Sequence, residues 1–330
     1  MIKLPGFLRD FFGTHGEPEA RGVNAPLFVT GCMRSGTTFL VDKLATHPQL
    51  LKIGVELNQV WTDVGGASIK GTCEHKVASD ASPEYTYQMA TYFADFVRES
   101  KTNKRKVMRS YLKLFHGLGR ASYDWDHIVP VNKSPHLMNK LGYVGALFPQ
   151  STLIIIVRDI YSHSASMKYH FEKLHKADGR TYFMEDSLSA CYSQTVGEAP
   201  AGKAAYPGNF SIIPHLWFRM NKVAFEEFEG AGFAKKLVVS YEDLVTNQKG
   251  TLSALFKALE LRPEHVAVAK EIAEKSTVLV NTTTKGSPLE KWKQQLNAQE
   301  IAAIDAVVTN HSQEYAFIRE SLERLKIQPE

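Results

Sequence analysis

The sequence predicts an α/β protein, an open parallel sheet flanked by helices, and three observations carry that expectation. Short apolar runs alternate with segments of helical spacing along most of the chain. One run, STLIIIVRD (151–159), is continuous and β-branched, the pattern of a parallel strand covered on both faces. Another, APLFVTG (25–31), passes through a glycine-bounded loop directly into a helical segment.

The elements follow in order. APLFVTG ends at Gly31, and TTFLVDKLATHP then sets Phe39, Leu40, Leu44 and, less regularly, Val41 at helical spacing until Pro48 stops it. LLKIGVE (50–56) reads as a second strand, from which the chain emerges at Glu56. Residues 84–122 read as helical, with Tyr85, Met89, Tyr92, Phe93 and Phe96 on one face and the basic tract KTNKRKVMR (101–109) as a solvated face. HIVPVNKSP (127–135) is a short strand that delivers Asn132 and Lys133, before a helix through Leu137, Leu141 and Val144. STLIIIVRD ends in Arg158 and Asp159, and AKKLVVSYEDL (234–244) repeats the plan. Helices are expected to fill most of the chain from there to Gln328. The stretch GEAPAGKAAYPGN (197–209), rich in Gly, Ala and Pro, predicts a loop or mobile lid within the domain.

The resulting plan is an N-terminal arm, 1–24, and one α/β domain, 25–330. The arm's apolar cluster, Ile2, Leu4, Phe7, Leu8, Phe11 and Phe12, is expected to pack on the protein's own surface, with a membrane or a partner as the alternative. Composition narrows the function classes. With 44% hydrophobic and 22% charged residues the chain is ordinarily globular, and 39 basic against 35 acidic side chains give a charge of +4. That bias is too weak to indicate nucleic acid, although it suits a pocket for a polyanionic small ligand. Cys32, Cys73 and Cys191 are odd in number and far apart, which suggests neither a disulfide framework nor zinc, and a reducing compartment. No stretch approaches the roughly eighteen apolar residues of a membrane span, and Pro5, Arg9 and Asp10 interrupt the start before a secretory core forms. A cytoplasmic protein without a transmembrane segment is therefore expected.

Ligands of open parallel sheets collect at the carboxyl ends of the strands. The residues there are Arg34 to Thr38, Glu56, Lys133, Arg158 and Tyr241. In VTGCMRSGTTFL, Gly31 and Gly36 have the G-x-x-x-x-G spacing of a P-loop, but Thr37 stands where its lysine would be and Thr38 follows. The glycines let consecutive N–H groups face inward, and the helix beginning near Thr37 adds the positive end of its dipole. This is an anion cradle. Without the lysine it is poorly equipped to hold a γ-phosphate for transfer, whereas Arg34, inside the turn, is placed to fork onto an anionic group.

On these segments the chain resembles the sulfotransferases that use 3'-phosphoadenosine 5'-phosphosulfate (PAPS), and most closely their tyrosylprotein branch. GCMRSGTTFL is similar to the family's 5'-phosphosulfate loop, and VRDIYSHSASM (157–167) to its 3'-phosphate site. VNKSP resembles the Asn-Lys-Asp-Pro segment, with Ser134 in place of the acid, and Glu56 in GVELNQVW falls where the branch has its catalytic glutamate. STVLVNTTTKGSPLEKW (276–292) resembles the branch's closing segment. The Lys-Gly to Trp spacing there, at 285–292, departs from that of cytosolic small-molecule members.

The resemblance implies PAPS as co-substrate, no metal, and sulfuryl transfer to a hydroxyl acceptor: a peptide tyrosine, a carbohydrate or a small molecule. Arg34, Ser35, Gly36, Thr37, Thr38, Arg158, Ser166, Ser276 and Lys291 would bind the donor, with Arg158 and Ser166 on its 3'-phosphate. Arg34, Lys133 and Glu56 would carry the chemistry. Such a transfer needs in-line positioning and charge neutralisation, which Arg34, Lys133 and loop amides supply, and a base for the acceptor's proton, for which Glu56 is the candidate and His136 the runner-up. Acceptor specificity is expected from residues 57–127 and 168–215, where Trp61, Tyr85, Tyr87, Trp125, Tyr169 and Phe171 suggest an apolar or ring-bearing molecule. Tyr241 is expected to pack under the sheet end, and His163, His170 and His175 to lie on a solvated helix face. A P-loop phosphotransferase for a small molecule and a non-catalytic module that binds adenosine 3',5'-bisphosphate remain as alternatives.

Overall fold

The computed structural model describes residues 25–68, 74–102, 123–184, 192–266, 269 and 287–330. The arm, most of the basic tract, Cys73, Cys191 and Ser276 lie outside the described residues. Strands β1 (Leu27–Thr30), β2 (Leu50–Lys52), β3 (Val129–Lys133), β4 (Thr152–Val157) and β8 (Lys235–Ser240) form one parallel sheet in the order β2-β3-β1-β4-β8. The expected open parallel α/β architecture is the observed one.

The sheet is buried on both faces because its apolar runs are continuous. Side chains of a strand alternate in direction, so Phe28, Leu153 and Ile155 enter one core while Leu27, Val29, Ile154 and Ile156 enter the other. Phe28 anchors the first core, with ring centroids 6.0 Å from Trp61, 6.1 Å from Phe93 and 5.3 Å from Phe148. Leu40 and Leu44 of helix α1 (Thr37–Leu44) close the second.

Helices α2 (Asn58–Asp63), α3 (Pro83–Thr102) and α4 (Leu141–Leu147) cover the first core, into which Trp61, Phe93 and Leu141 project. The segment expected as a helix through Leu137, Leu141 and Val144 is broken: a 3₁₀ turn at Pro135–Leu137 precedes α4. Helix α5 (Ile160–Asp178) starts where the Asp159 carboxylate accepts from the N–H groups of Tyr161 and Ser162, and stops at Gly179 with φ 71°. Helix α6 (Ile212–Phe228) is apolar on most of its surface and packs on α5. Beyond β8 come α7 (Tyr241–Thr246), α8 (Gln248–Ala258), α9 (Trp292–Gln295), α10 (Ala298–Asn310) and α11 (Ser312–Leu325).

A second sheet departs from the expected loop. Strands β5 (Arg180–Phe183), β6 (Ser193–Val196) and β7 (Ala205–Tyr206) pair antiparallel in the order β6-β5-β7, so β7 lies inside the stretch 197–209. These strands are short and partly polar, and their pairing fixes them more than any periodicity does. The sheet is fastened to α5 by Phe171 and Tyr182, whose rings stack at 3.6 Å and 13°.

Candidate functional site

The loop from Gly31 to Gly36 leaves β1 at its carboxyl end and turns tightly, with the Ser35 N–H donating to the Cys32 carbonyl at 2.9 Å. Two residues take left-handed backbone, Arg34 at φ 72° and Gly36 at φ 98°. Packing below the loop excludes side chains at both glycines. A Cβ on Gly31 would lie 2.4 Å from the Ile156 carbonyl, and one on Gly36 2.5 Å from the Tyr241 ring. Thr37 is buried in the first turn of α1 and Thr38 is exposed beside it. The Ser35 hydroxyl is fully buried and has no hydrogen-bond partner among the described residues, an orphan polar atom inside the cradle.

Two guanidiniums converge on this loop. Arg158, at the end of β4, donates from Nη1 to the Arg34 carbonyl at 3.2 Å and from Nε to Ser162 Oγ at 3.1 Å. Its guanidinium sits 4.4 Å from the Tyr241 ring centroid, so Tyr241 packs under the sheet end as expected. Arg34 donates from Nε to Ser166 Oγ at 3.4 Å. Burial and their mutual repulsion push Arg34 below the usual arginine range, and burial does the same to Arg158. Among the described residues neither arginine forms an ion pair with a carboxylate. In this arrangement Ser166 faces Arg34, while Arg158 takes Ser162 one turn earlier on α5.

The second half of the site comes from β3. Its register sets Lys133 opposite Val29, beside the loop's point of departure. Lys133 is buried, and its Nζ donates to Glu56 Oε1 at 2.6 Å. Glu56 lies beyond β2, after Gly54 with φ 59°, and Asn58 Nδ2 reaches its other oxygen at 3.4 Å. Burial alone would raise the Glu56 carboxyl. The Lys133 ammonium, with bonds from Lys133 and Asn58 and the nearby His136, outweighs it and holds the group below the ordinary carboxylate range. His136 is half-buried, and burial together with Lys140 and Lys133 lowers its pKa against the opposing pull of Glu56.

Lys291 lies just before α9, and the Trp292 ring next to it meets the Tyr161 ring at 4.9 Å, which brings this segment to the first turn of α5. Other expectations are corrected. His163 is fully buried, not solvated: its Nε2 donates to the Met33 carbonyl at 2.9 Å, lies 3.3 Å from Cys32 Sγ, and burial pushes its pKa down to about 3. His170 is half-buried on the face of α5 that carries Ser162 and Ser166, with its pKa lowered to about 4 by burial and by Arg34. Trp61 and Phe171 are fully buried core residues and cannot line an acceptor surface, whereas Tyr87 and Tyr169 are exposed. Tyr192, which the sequence gave no reason to select, reaches from beside β6 to place its hydroxyl 3.6 Å from Met33 Sδ in the loop.

The profile of the "Sulfotransferase family" matches residues 26–265, which contain the loop, Glu56, Lys133, Arg158 and Ser166. The chain belongs to the sulfotransferase family. Solved structures with similar folds are sulfotransferases as well. The sulfotransferase domain from the curacin biosynthetic pathway is 17% identical, with 82% of this chain and 96% of that one covered at a TM-score of 0.39. The sulfotransferase from Alicyclobacillus acidocaldarius is 12% identical, with coverage of 86% and 96% and a TM-score of 0.39. Mouse sulfotransferase SULT7A1, complexed with PAP, is 11% identical, with coverage of 91% and 88% and a TM-score of 0.40. No curated protein matches the sequence. As a sulfotransferase the chain is a transferase, and no described helix is long and apolar enough to cross a membrane.

Proposed function

We propose that the protein transfers a sulfuryl group from PAPS to a hydroxyl acceptor, in a reducing, cytosolic setting that its odd, widely spaced cysteines favour. One observation carries the reading. A buried Lys133 paired at 2.6 Å with the partly exposed Glu56 stands beside a loop whose two guanidiniums form no ion pair with a carboxylate among the described residues. A sulfuryl donor of this class brings anionic groups at both ends, and the site offers cations in two places to match.

In this reading the loop amides, the Ser35 hydroxyl and Arg34 receive the 5' end of the donor. Arg158 and Ser166 receive the 3'-phosphate, giving up bonds to Ser162 and Arg34 as they do so, and Lys291 and Ser276 complete the donor site. Lys133 neutralises charge where the sulfuryl group leaves. Glu56 removes the acceptor's proton as its oxygen attacks. The close Lys133–Glu56 contact suits that sequence: an incoming sulfate gives Lys133 a second anion, which loosens its hold on the carboxylate and makes Glu56 a stronger base. The acceptor is a peptide tyrosine, a carbohydrate or a small molecule, and the pairing of Glu56 with Lys133 favours the tyrosylprotein branch.

Calorimetry tests the donor assignment directly. Adenosine 3',5'-bisphosphate is expected to bind much more tightly than AMP or ATP, without Mg²⁺. Equal affinities, or ATP binding that requires Mg²⁺, would point to the phosphotransferase instead.

A further inference from the structure

His163 is fully buried in the first turn of α5, and the transfer chemistry above makes no use of it. Its Nε2 lies 2.9 Å from the Met33 carbonyl and 3.3 Å from Cys32 Sγ, so one nitrogen meets two consecutive residues of the loop. A carbonyl oxygen can only accept, which requires the proton on Nε2. The other nitrogen, Nδ1, is buried with no hydrogen-bond partner among the described residues, and a proton there would be a buried donor with nothing to receive it. The contacts therefore select the neutral ring protonated at Nε2 alone. Burial, which pushes the pKa down to about 3, keeps that ring neutral.

The Met33 carbonyl belongs to the peptide that enters Arg34, and the Arg34 carbonyl to the peptide that leaves it. His163 holds the first at 2.9 Å, and Arg158 Nη1 holds the second at 3.2 Å. Between these two fixed planes the Arg34 backbone has φ 72°, in the left-handed region that a residue with a side chain keeps only where its surroundings determine it. The Met33 side chain is tied as well, its Sδ 3.6 Å from the Tyr192 hydroxyl. The two holds on Arg34 differ in kind. Arg158 is assigned above to the donor, whereas His163 has no exposed surface and can meet no ligand.

We propose that His163 is a positioning residue for Arg34: by donating from Nε2 to the Met33 carbonyl it fixes the turn of the loop, and with it the direction of the guanidinium. Because the N–H and C=O of a trans peptide point in opposite directions, the same bond turns the Arg34 N–H away from the buried ring. Without it the Met33–Arg34 peptide is free to rotate, and the Arg34 side chain leaves Ser166 Oγ, which lies 3.4 Å from its Nε. The consequence for donor binding rests on the reading of the loop given above, while the tautomer of His163 and the setting of Arg34 do not.

NMR on the unliganded protein tests both. Ring-nitrogen shifts are expected to show His163, assigned by the resonance lost in His163→Gln, as the Nε2–H tautomer with Nδ1 bare. The Nε–H signal of Arg34, assigned by its loss in Arg34→Lys, should shift in His163→Leu and stay in place in His163→Gln, whose amide N–H can reach the same carbonyl. Calorimetry then reads the consequence for the donor. Adenosine 3',5'-bisphosphate should bind His163→Leu about tenfold more weakly, the size of one buried hydrogen bond, and His163→Gln within about threefold of the unmodified protein. A His163 ring protonated at Nδ1 in the unmodified protein overturns the proposal, whether or not a variant folds, and so does a folded His163→Leu that leaves the Arg34 signal unmoved. Expected ring and Arg34 signals in a protein that does not bind the bisphosphate would support the role of His163 and count against the donor reading alone.

Discussion

The two ends of the parallel sheet are built from the same strands and treat charge in opposite ways. At the amino end, before β2 and β3, the charges answer one another. Asp124 lies 3.0 Å from His127, 3.5 Å from Arg262 and 3.7 Å from His265, and Arg262 also donates to His127 at 3.2 Å. Next to this knot a cavity of about 300 Å³ is lined largely by strand starts, among them Leu27, Leu50 and Val129, and contains none of the catalytic candidates. At the carboxyl end Lys133 pairs with Glu56, Arg34 and Arg158 form no ion pair among the described residues although Glu242 and Asp159 lie within electrostatic reach of Arg158, and the Ser35 and Ser134 hydroxyls are buried without partners among the described residues. Open volume at the amino end is thus a poor guide to the site. Orphan polar atoms occur at both ends, Asp124 Oδ2 and His47 Nε2 at the amino one, so it is the unpaired cations that mark a place prepared for something else, and open volume by itself does not.

If the imbalance is functional, removing a cation from the carboxyl end should cost chemistry more than folding. Lys133→Ala is expected to lower turnover by about a thousandfold, the upper range for a lost transition-state contact, while adenosine 3',5'-bisphosphate binds nearly as before. Arg158→Ala should instead weaken that binding. Steady-state rates and calorimetry on both variants would break the division of labour if the two showed the same loss of affinity and nothing else.

Glu56→Gln comes next. Turnover with an alcohol acceptor should fall by about a hundredfold with donor affinity unchanged, and His136→Ala should be much milder. The pH profile gives the same residue a second reading. Because the Glu56 carboxyl is held below the ordinary range, its basic form persists as the pH falls and is lost only below the usual carboxylate pKa. The acid limb of the kcat/KM profile, which reports the free enzyme, should accordingly lie low and disappear in Glu56→Gln. An acid limb near 6 or 7 that survives the substitution would move the proton to another group.

The amino end supplies the smallest effect and the control. Asp124→Asn removes the carboxylate shared by His127, Arg262 and His265. It should lower the melting temperature by about 1–2 °C, the size of a 1 kcal/mol loss in a chain this large, and leave turnover unchanged. Its neighbours hold the Asp124 carboxyl below its ordinary value against the effect of burial, so whatever stability it contributes is present near neutral pH and lost as the pH falls through that lowered value. A melting temperature flat from pH 7 to 3 in both forms would remove the knot from the account.

The parts of the molecule that were legible in the sequence are those governed by local pattern. The apolar strands announce themselves by composition, and a strand ending at Lys133 or Arg158 places that residue at the ligand edge without further information. Gly31 and Gly36 are legible for the same reason, since their spacing is a backbone requirement. What was illegible depends on which surfaces meet. His163, His170 and His175 share one helix and look alike in sequence, but α5 turns His163 under the loop to meet the Met33 carbonyl. Ser162 and Ser166 are both one helical turn from something useful, and only packing decides that Arg158 takes the first and Arg34 the second. The small antiparallel sheet was hidden because residues 180–183 acquire strand character from partners at 193–196 and 205–206.

Arg34 combines two of these features in one residue, with consequences for how the position tolerates change. Its backbone sits at φ 72°, a conformation that costs a non-glycine residue roughly 1–2 kcal/mol, and its side chain is one of the two guanidiniums over the loop. Two filters therefore act on this position at once, and they favour different answers. A population of variants sorted for folding alone would drift toward glycine here, gaining stability with an inert loop. Sorted for transfer, the same population would keep arginine and carry its strain, so position 34 reports which of the two pressures a given lineage has been under.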